Sequence, residues 1–301
     1  MANNHYFSVA DGRLCYFGIP LEETGLLQES RDVLDKLTLP GRLIRERGFS
    51  EDTERVCWIS LAFCIANQAI NFERPVKFSR ELCKYGLEYV SEDAFVHDKA
   101  LEHNLLWPEN RYKPAFDFLK SLHGGIAQFA SDYLLNPSAY RRELIHPKWI
   151  SSKTASFWYL CLGGNQLLTL DRHLFRQLAG LGVPISNPHF YIPKLRKNGR
   201  SKGKSVIVKP SLEEYEQIEH DALLFLSRFP SFTGEHIGDM ATSLFWTAGA
   251  EGKRKGAFCQ WNKRTNSEQM QLFTEPPQKG SLKFDTPFVL ESPLKRHWGH
   301  R

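Results

Sequence analysis

The sequence predicts a mainly α-helical protein with a small β hairpin at its start, on three observations. Apolar residues recur at helical spacing in segment after segment between residues 52 and 247. Strand-like alternation is confined to residues 6–19. The 301 residues are 42% hydrophobic and 13% aromatic, enough to fill one large core or two smaller ones.

Residues 6–19 are expected to turn at Asp11-Gly12, a pair suited to a two-residue hairpin loop. From there to about residue 50 the chain reads as a small helix and connectors, punctuated by Pro40-Gly41. Between Asp52 and Asn71, apolar residues on most sides (Val56, Ile59, Leu61, Phe63 and Ile65 among them) predict a central helix that Pro75 ends. Further helices are expected near 76–89, 92–105 and 113–134, the last broken by Asn136-Pro137. A helix opens around Lys153, with Ser151 or Ser152 as its cap. Another opens at Asp171, carries the stripe Leu174, Phe175 and Leu178, and stops at Gly180-Leu181-Gly182. After an exposed connection over 183–210, Ser211 and Glu214 form the signature of a capping box. A final helix is expected over 234–247, followed by a polar, basic tail. By composition the chain divides into a 1–50 extension, a 51–182 helical core, and a 183–301 basic connector with C-terminal helices and tail.

Composition narrows the function. No segment reaches the ~18 uncharged apolar residues of a membrane span, and the start of the chain lacks the basic and apolar regions of a signal peptide. A cytoplasmic protein without a membrane partner is expected. The six cysteines form no Cys-x-x-Cys pair, so neither a zinc ribbon nor an iron–sulfur cluster is implied, and no metal or cofactor is expected. The net charge of +5 is uneven. Lys194, Arg196, Lys197, Arg200, Lys202, Lys204 and Lys209 form one acid-free run, and Lys253, Arg254, Lys255, Lys263 and Arg264 a second cluster. These are either solvated loops or the footprint of a polyanion.

The chemistry centres on Lys153 and Asp171. Only ~0.04% of an ordinary lysine is free amine at neutral pH, so a nucleophilic lysine needs a depressed pKa. Burial over Phe157 and Leu160 and a place in the first turn of a helix both push that way. Such an amine is suited to attack a sugar C1′ or a carbonyl and hold it as a Schiff base. The other reading is a stem packed on the helix with its head in water. Asp171 is a good helix N-cap, a role compatible with assisting that amine.

Lys153-Thr154-Ala155-Ser156-Phe157, a glycine-containing break, and an apolar run ending Asp171-Arg172-His173 resemble the helix-hairpin-helix DNA glycosylases, and most of all their 8-oxoguanine DNA glycosylase branch. The resemblance covers 146–180, more weakly 52–72 and 211–249. It implies a two-lobed helical glycosylase fold with a hairpin-helix element, Lys153 as nucleophile and Asp171 as assisting carboxylate. It also implies a monomer acting on double-stranded DNA with a modified base, located with the nucleoid. Where the family hairpin reads Pro-Gly-x-Gly-x-Lys, this chain has Lys148-Trp149-Ile150-Ser151-Ser152-Lys153, with Trp149 and Ser151 in the glycine places. Tryptophan tolerates positive φ poorly, so a reshaped hairpin is expected, with Lys148, Ser151 or Ser152 on phosphate. Arg172 and the run Lys194, Arg196, Lys197, Arg200, Lys202 and Lys204 are further candidate phosphate contacts. Asn67, Gln68 and Trp149 are candidates for the base pocket or a wedge; Asn67 and Gln68 are otherwise a satisfied buried amide pair.

The implied activity is removal of a modified base such as 8-oxoguanine, with β-lyase cleavage at the abasic site. Excision of a hypermodified viral base in antiviral defence, and a non-catalytic DNA-binding module on the same scaffold, are the alternatives. His97-Asp98 with His103 and His146 hints only weakly at a metal phosphohydrolase.

Overall fold

The computed structural model describes residues 6–257, apart from 49, 68–72, 106, 108, 193, 196–204 and 233–236. The fold is mainly α with a small antiparallel sheet at its start. Contacts divide it into two units, one built from Met1–Asp32 with Asn165–Gly256, the other centred on Val33–Gly164. The segments 1–50, 51–182 and 183–301 follow composition, whereas these units follow contacts, so the N-terminal sheet belongs with the C-terminal helices.

In the first unit, β1 (Phe7–Ala10), β2 (Arg13–Tyr16) and β3 (Ile19–Pro20) form an antiparallel meander with Phe7 opposite Tyr16 and Ala10 opposite Arg13. That register leaves Asp11 and Gly12 as the loop, with φ of 50° and 72°, the left-handed pair a tight hairpin needs. α1 (Leu26–Leu37) carries the chain towards the second unit. The chain returns at Asn165, forms α11 (Arg172–Gly180) and the short strands β4 (Lys194–Leu195) and β5 (Ser205–Val206), and ends with α12 (Leu212–Leu226) and α13 (Ile237–Ala257). The inward face of the sheet closes on these helices: the Phe7 and Phe245 rings meet edge to face at 4.8 Å, and the Tyr16 hydroxyl donates to Ala248 O at 3.2 Å. Ser211 and Glu214 make the expected reciprocal cap of α12.

The second unit is built around α3 (Glu51–Ala66), whose residues from Val56 to Ala66 are all buried. It is preceded by α2 (Leu39–Arg47) and followed by α4 (Glu73–Leu82), α5 (Leu87–Val90), α6 (Asp93–Glu102), α7 (Lys113–Ser121), α8 (Gly125–Leu135), α9 (Pro137–Leu144) and α10 (Ser152–Cys161). Trp158 of α10 donates its indole N–H to Ser60 Oγ on α3 at 2.9 Å, and Phe157 meets Phe63 at 5.6 Å. Buried Arg55 donates from Nε to Tyr85 O at 2.6 Å and from Nη2 to Cys83 O, closing carbonyls just beyond the end of α4. Of the described cysteines, Cys15, Cys57, Cys64 and Cys161 are buried free thiols, and Cys83 is partly exposed.

Several breaks differ from the sequence expectation. Pro40 and Gly41 open α2 rather than a connector, because proline is tolerated where a helix N–H has no partner. Pro75 lies in the first turn of α4 for the same reason, and α3 has already ended at Ala66. The helix expected over 113–134 is two, split where Gly124 and Gly125 take φ of 90° and 69°. Among the described residues no helix is long and apolar enough to cross a membrane.

Candidate active site

Ser151 starts α10. Its backbone is extended, and its Oγ accepts from Thr154 N at 3.2 Å. Lys153 therefore falls in the first turn, and its half-buried side chain runs back over Phe157, with Nζ 5.1 Å from the ring centre. Nζ donates to the backbone carbonyl of Asn67 at 3.1 Å. Asn67 is the C-cap residue of α3, so the amine meets the carbonyl end of one helix from the amide end of another. Both contacts suit a protonated amine as donor. The stem thus packs along its own helix, while the amine at its tip is engaged by the Asn67 carbonyl.

Beneath it, Cys64 and Cys161 lie sulfur to sulfur at 3.8 Å. Burial first, and then the Cys161 thiol, push the Cys64 pKa up, while the nearby Lys153 charge pulls it down.

The turn before α10 carries one of the two residues that stand in the glycine places, Trp149, in a left-handed backbone, while the other, Ser151, is extended. Trp149 sits at φ 76°, the left-handed region that favours glycine. For a non-glycine residue this costs about 1–2 kcal/mol. Around it, the Arg111 guanidinium lies 4.7 Å from the Trp149 ring centre and 4.4 Å from that of Trp107. Lys148 Nζ lies 5.0 Å from the Trp149 ring centre and pairs with Glu109 at 2.9 Å. Cation–π contacts of this kind contribute about 0.5–2 kcal/mol, similar in size to the strain. Burial lowers the Arg111 pKa, with Tyr112 and Glu109 acting the other way.

Asp171 belongs to the first unit and caps α11: its Oδ1 accepts from His173 N at 2.8 Å and Leu174 N at 2.9 Å. The chain leading to it, 167–170, is buried yet belongs to no helix or sheet. Its backbone must find other partners. Leu168 N donates to Glu219 Oε1 at 2.8 Å, and Thr169 N to Thr242 Oγ1 at 3.1 Å. The Tyr215 hydroxyl donates to Leu168 O at 2.9 Å and accepts from Leu170 N at 2.8 Å, an N–H shared with Leu168 O. Side chains of α12 and α13 thus fix the approach to Asp171. Tyr215→Phe is expected to cost about 1–3 kcal/mol and lower Tm by roughly 2–8 °C, read by a circular dichroism melt; an unchanged Tm would remove this role.

Of the candidate residues, the structure gathers Asn67, Lys148, Trp149, Ser151, Ser152 and Lys153 in the second unit, and Asp171, Arg172 and Lys194 in the first. The main-chain carbonyl of Asn67 is the acceptor for the Lys153 amine. Lys148, Arg172 and Lys194 are exposed. Gln68, Arg196, Lys197, Arg200, Lys202 and Lys204 lie outside the described residues, as do Lys263 and Arg264 of the second basic cluster. Among the described residues no three of His, Cys, Asp and Glu form a metal-binding group, and His97, Asp98, His103 and His146 do not gather into one. Sequence reasoning missed Glu109 and Arg111, which reach Lys148 and Trp149 from about forty positions away with no local signal of it, and Trp107, which packs on Arg111.

No protein-family model matches the chain, and no curated protein matches its sequence. The fold is similar to the crystal structure of the 8-oxoguanine DNA glycosylase of Thermotoga maritima, with a TM-score of 0.53 and 18% identity, covering 73% of this chain and 91% of that one.

Proposed function

We propose that the protein is a DNA N-glycosylase with an associated β-lyase step, in which Lys153 is the nucleophile and Asp171 the assisting carboxylate. What carries the reading is the half-buried amine at the first turn of α10, held at 3.1 Å on the Asn67 carbonyl. The fold shared with a known glycosylase supports it.

In the reaction proposed, the Nζ lone pair forms a bond to C1′ of a flipped nucleotide while the glycosidic C1′–N bond breaks. The electron pair leaves with the base, which takes up a proton. Opening of the sugar gives an iminium, and β-elimination then releases the 3′ phosphate. The attacking amine must first lose a proton, and a backbone carbonyl cannot take it; that task is assigned to Asp171. Exposed Lys148, Arg172 and Lys194 are proposed to contact phosphate, so duplex affinity should fall steeply with salt.

The first base to test is 8-oxoguanine, on which the Thermotoga enzyme acts. A mass-spectrometric survey of bases freed from differently modified duplexes identifies the substrate, with a hypermodified viral base as the other outcome. Borohydride reduces the iminium to a stable amine and yields a protein–DNA cross-link. Salt-sensitive binding without any cross-link or freed base would instead mean a binding module.

Asp171→Asn separates the two roles of that residue. Asparagine caps a helix as well as aspartate does, so folding and duplex affinity should hold within about threefold. Excision should fall by roughly 10²–10⁴-fold. Equal loss of binding and excision would make Asp171 a structural cap alone.

A further inference from the structure

The turn at 148–151 holds a contradiction that its neighbours resolve. Trp149 takes a left-handed backbone, φ 76°, at a place where glycine would do so freely. Its ring is also the outer face of a cation–π stack: Trp107, then the Arg111 guanidinium at 4.4 Å, then Trp149 at 4.7 Å. Arg111 Nε is buried with no hydrogen-bond partner among the described residues, and the rings of Trp107 and Trp149 lie over the guanidinium carbon. The second tie between the same two segments, Lys148 to Glu109, joins side chains that are 65% and 57% exposed, and such pairs contribute little.

We propose that Arg111 is a positioning residue: clasped between Trp107 and Trp149, it holds Trp149 in the left-handed conformation and so shapes the 148–151 turn for docking on a DNA phosphate backbone. The docking half rests on the glycosylase reading above; the clasp does not. A tryptophan whose flat face is pinned from one side can keep a backbone state that an unpinned one would leave. Glycine needs no such clasp, and this gives the test its form.

The experiment compares wild type, Arg111→Ala, Trp149→Gly and the double variant. Duplex affinity is read by fluorescence anisotropy on a short duplex carrying a tetrahydrofuran abasic analogue, and the turn itself by amide hydrogen exchange over 149–153 without DNA. Arg111→Ala should weaken binding about tenfold and speed exchange. Adding Trp149→Gly should bring affinity back to within about threefold of wild type and slow exchange again. A direct Arg111–phosphate contact behaves otherwise, because glycine at 149 cannot replace a lost charge. A double variant as weak as Arg111→Ala, or an Arg111→Ala that binds and exchanges like wild type, overturns the proposal. If wild type binds no duplex, the docking role and the glycosylase reading fail together, and the exchange cycle decides the clasp alone.

Discussion

Lys153→Gln should abolish borohydride cross-linking and lower excision by on the order of 10³-fold or more, with the fold intact. Glutamine has no amine to form the iminium, yet its amide can still donate to the Asn67 carbonyl that Lys153 holds at 3.1 Å. The residue is half-buried and its cation–π contact with Phe157 is a small part of the fold, so Tm should move by no more than about 3 °C. Lys113→Gln, an exposed lysine paired with Asp117, serves as the control and should cross-link like wild type. A cross-link that survives in Lys153→Gln would assign the chemistry to another amine and remove the central claim of the proposed mechanism.

Gly41→Ala should be the most damaging small substitution for the fold. A methyl at this position would lie 1.6 Å from the carbonyl oxygen of Leu162 and 2.2 Å from its carbon. Those atoms are backbone at the end of α10, so no side chain can swing aside. Relief requires α2 to move relative to the helix that carries Lys153. The cost is expected to be roughly 3–5 kcal/mol, lowering Tm by about 10 °C in a thermal melt and reducing excision along with it. A variant that melts within a few degrees of wild type would show that the two helices can separate at little cost.

What could be read from the sequence was what is decided locally. Asp11-Gly12, Ser151, Asp171 and the Ser211/Glu214 box each act through backbone groups at most three positions away, so spacing alone reveals them. What could not be read was decided by distant neighbours. Gly41 looks like a loop residue until Leu162 is seen against it. Pro40 and Pro75 look like helix ends because the rule that bars proline from a helix interior is silent about its first turn. The same holds at the site. Lys153 and Asp171 stood out as residue types in a pattern, whereas the acceptor for the amine is a main-chain carbonyl eighty-six positions earlier, which no side-chain pattern encodes. Trp149 opposes positive φ by its own preference yet takes φ 76°, and Arg111, from another segment, packs on its ring there.

The distribution of sulfur has a practical consequence. Cys15 is 2% exposed in one unit, and Cys57, Cys64 and Cys161 are fully enclosed in the other. An alkylating reagent can reach any of these atoms only after the surrounding half opens. Pulse labelling followed by peptide mass mapping therefore times the melting of each half separately, within one unaltered chain and without any attached dye.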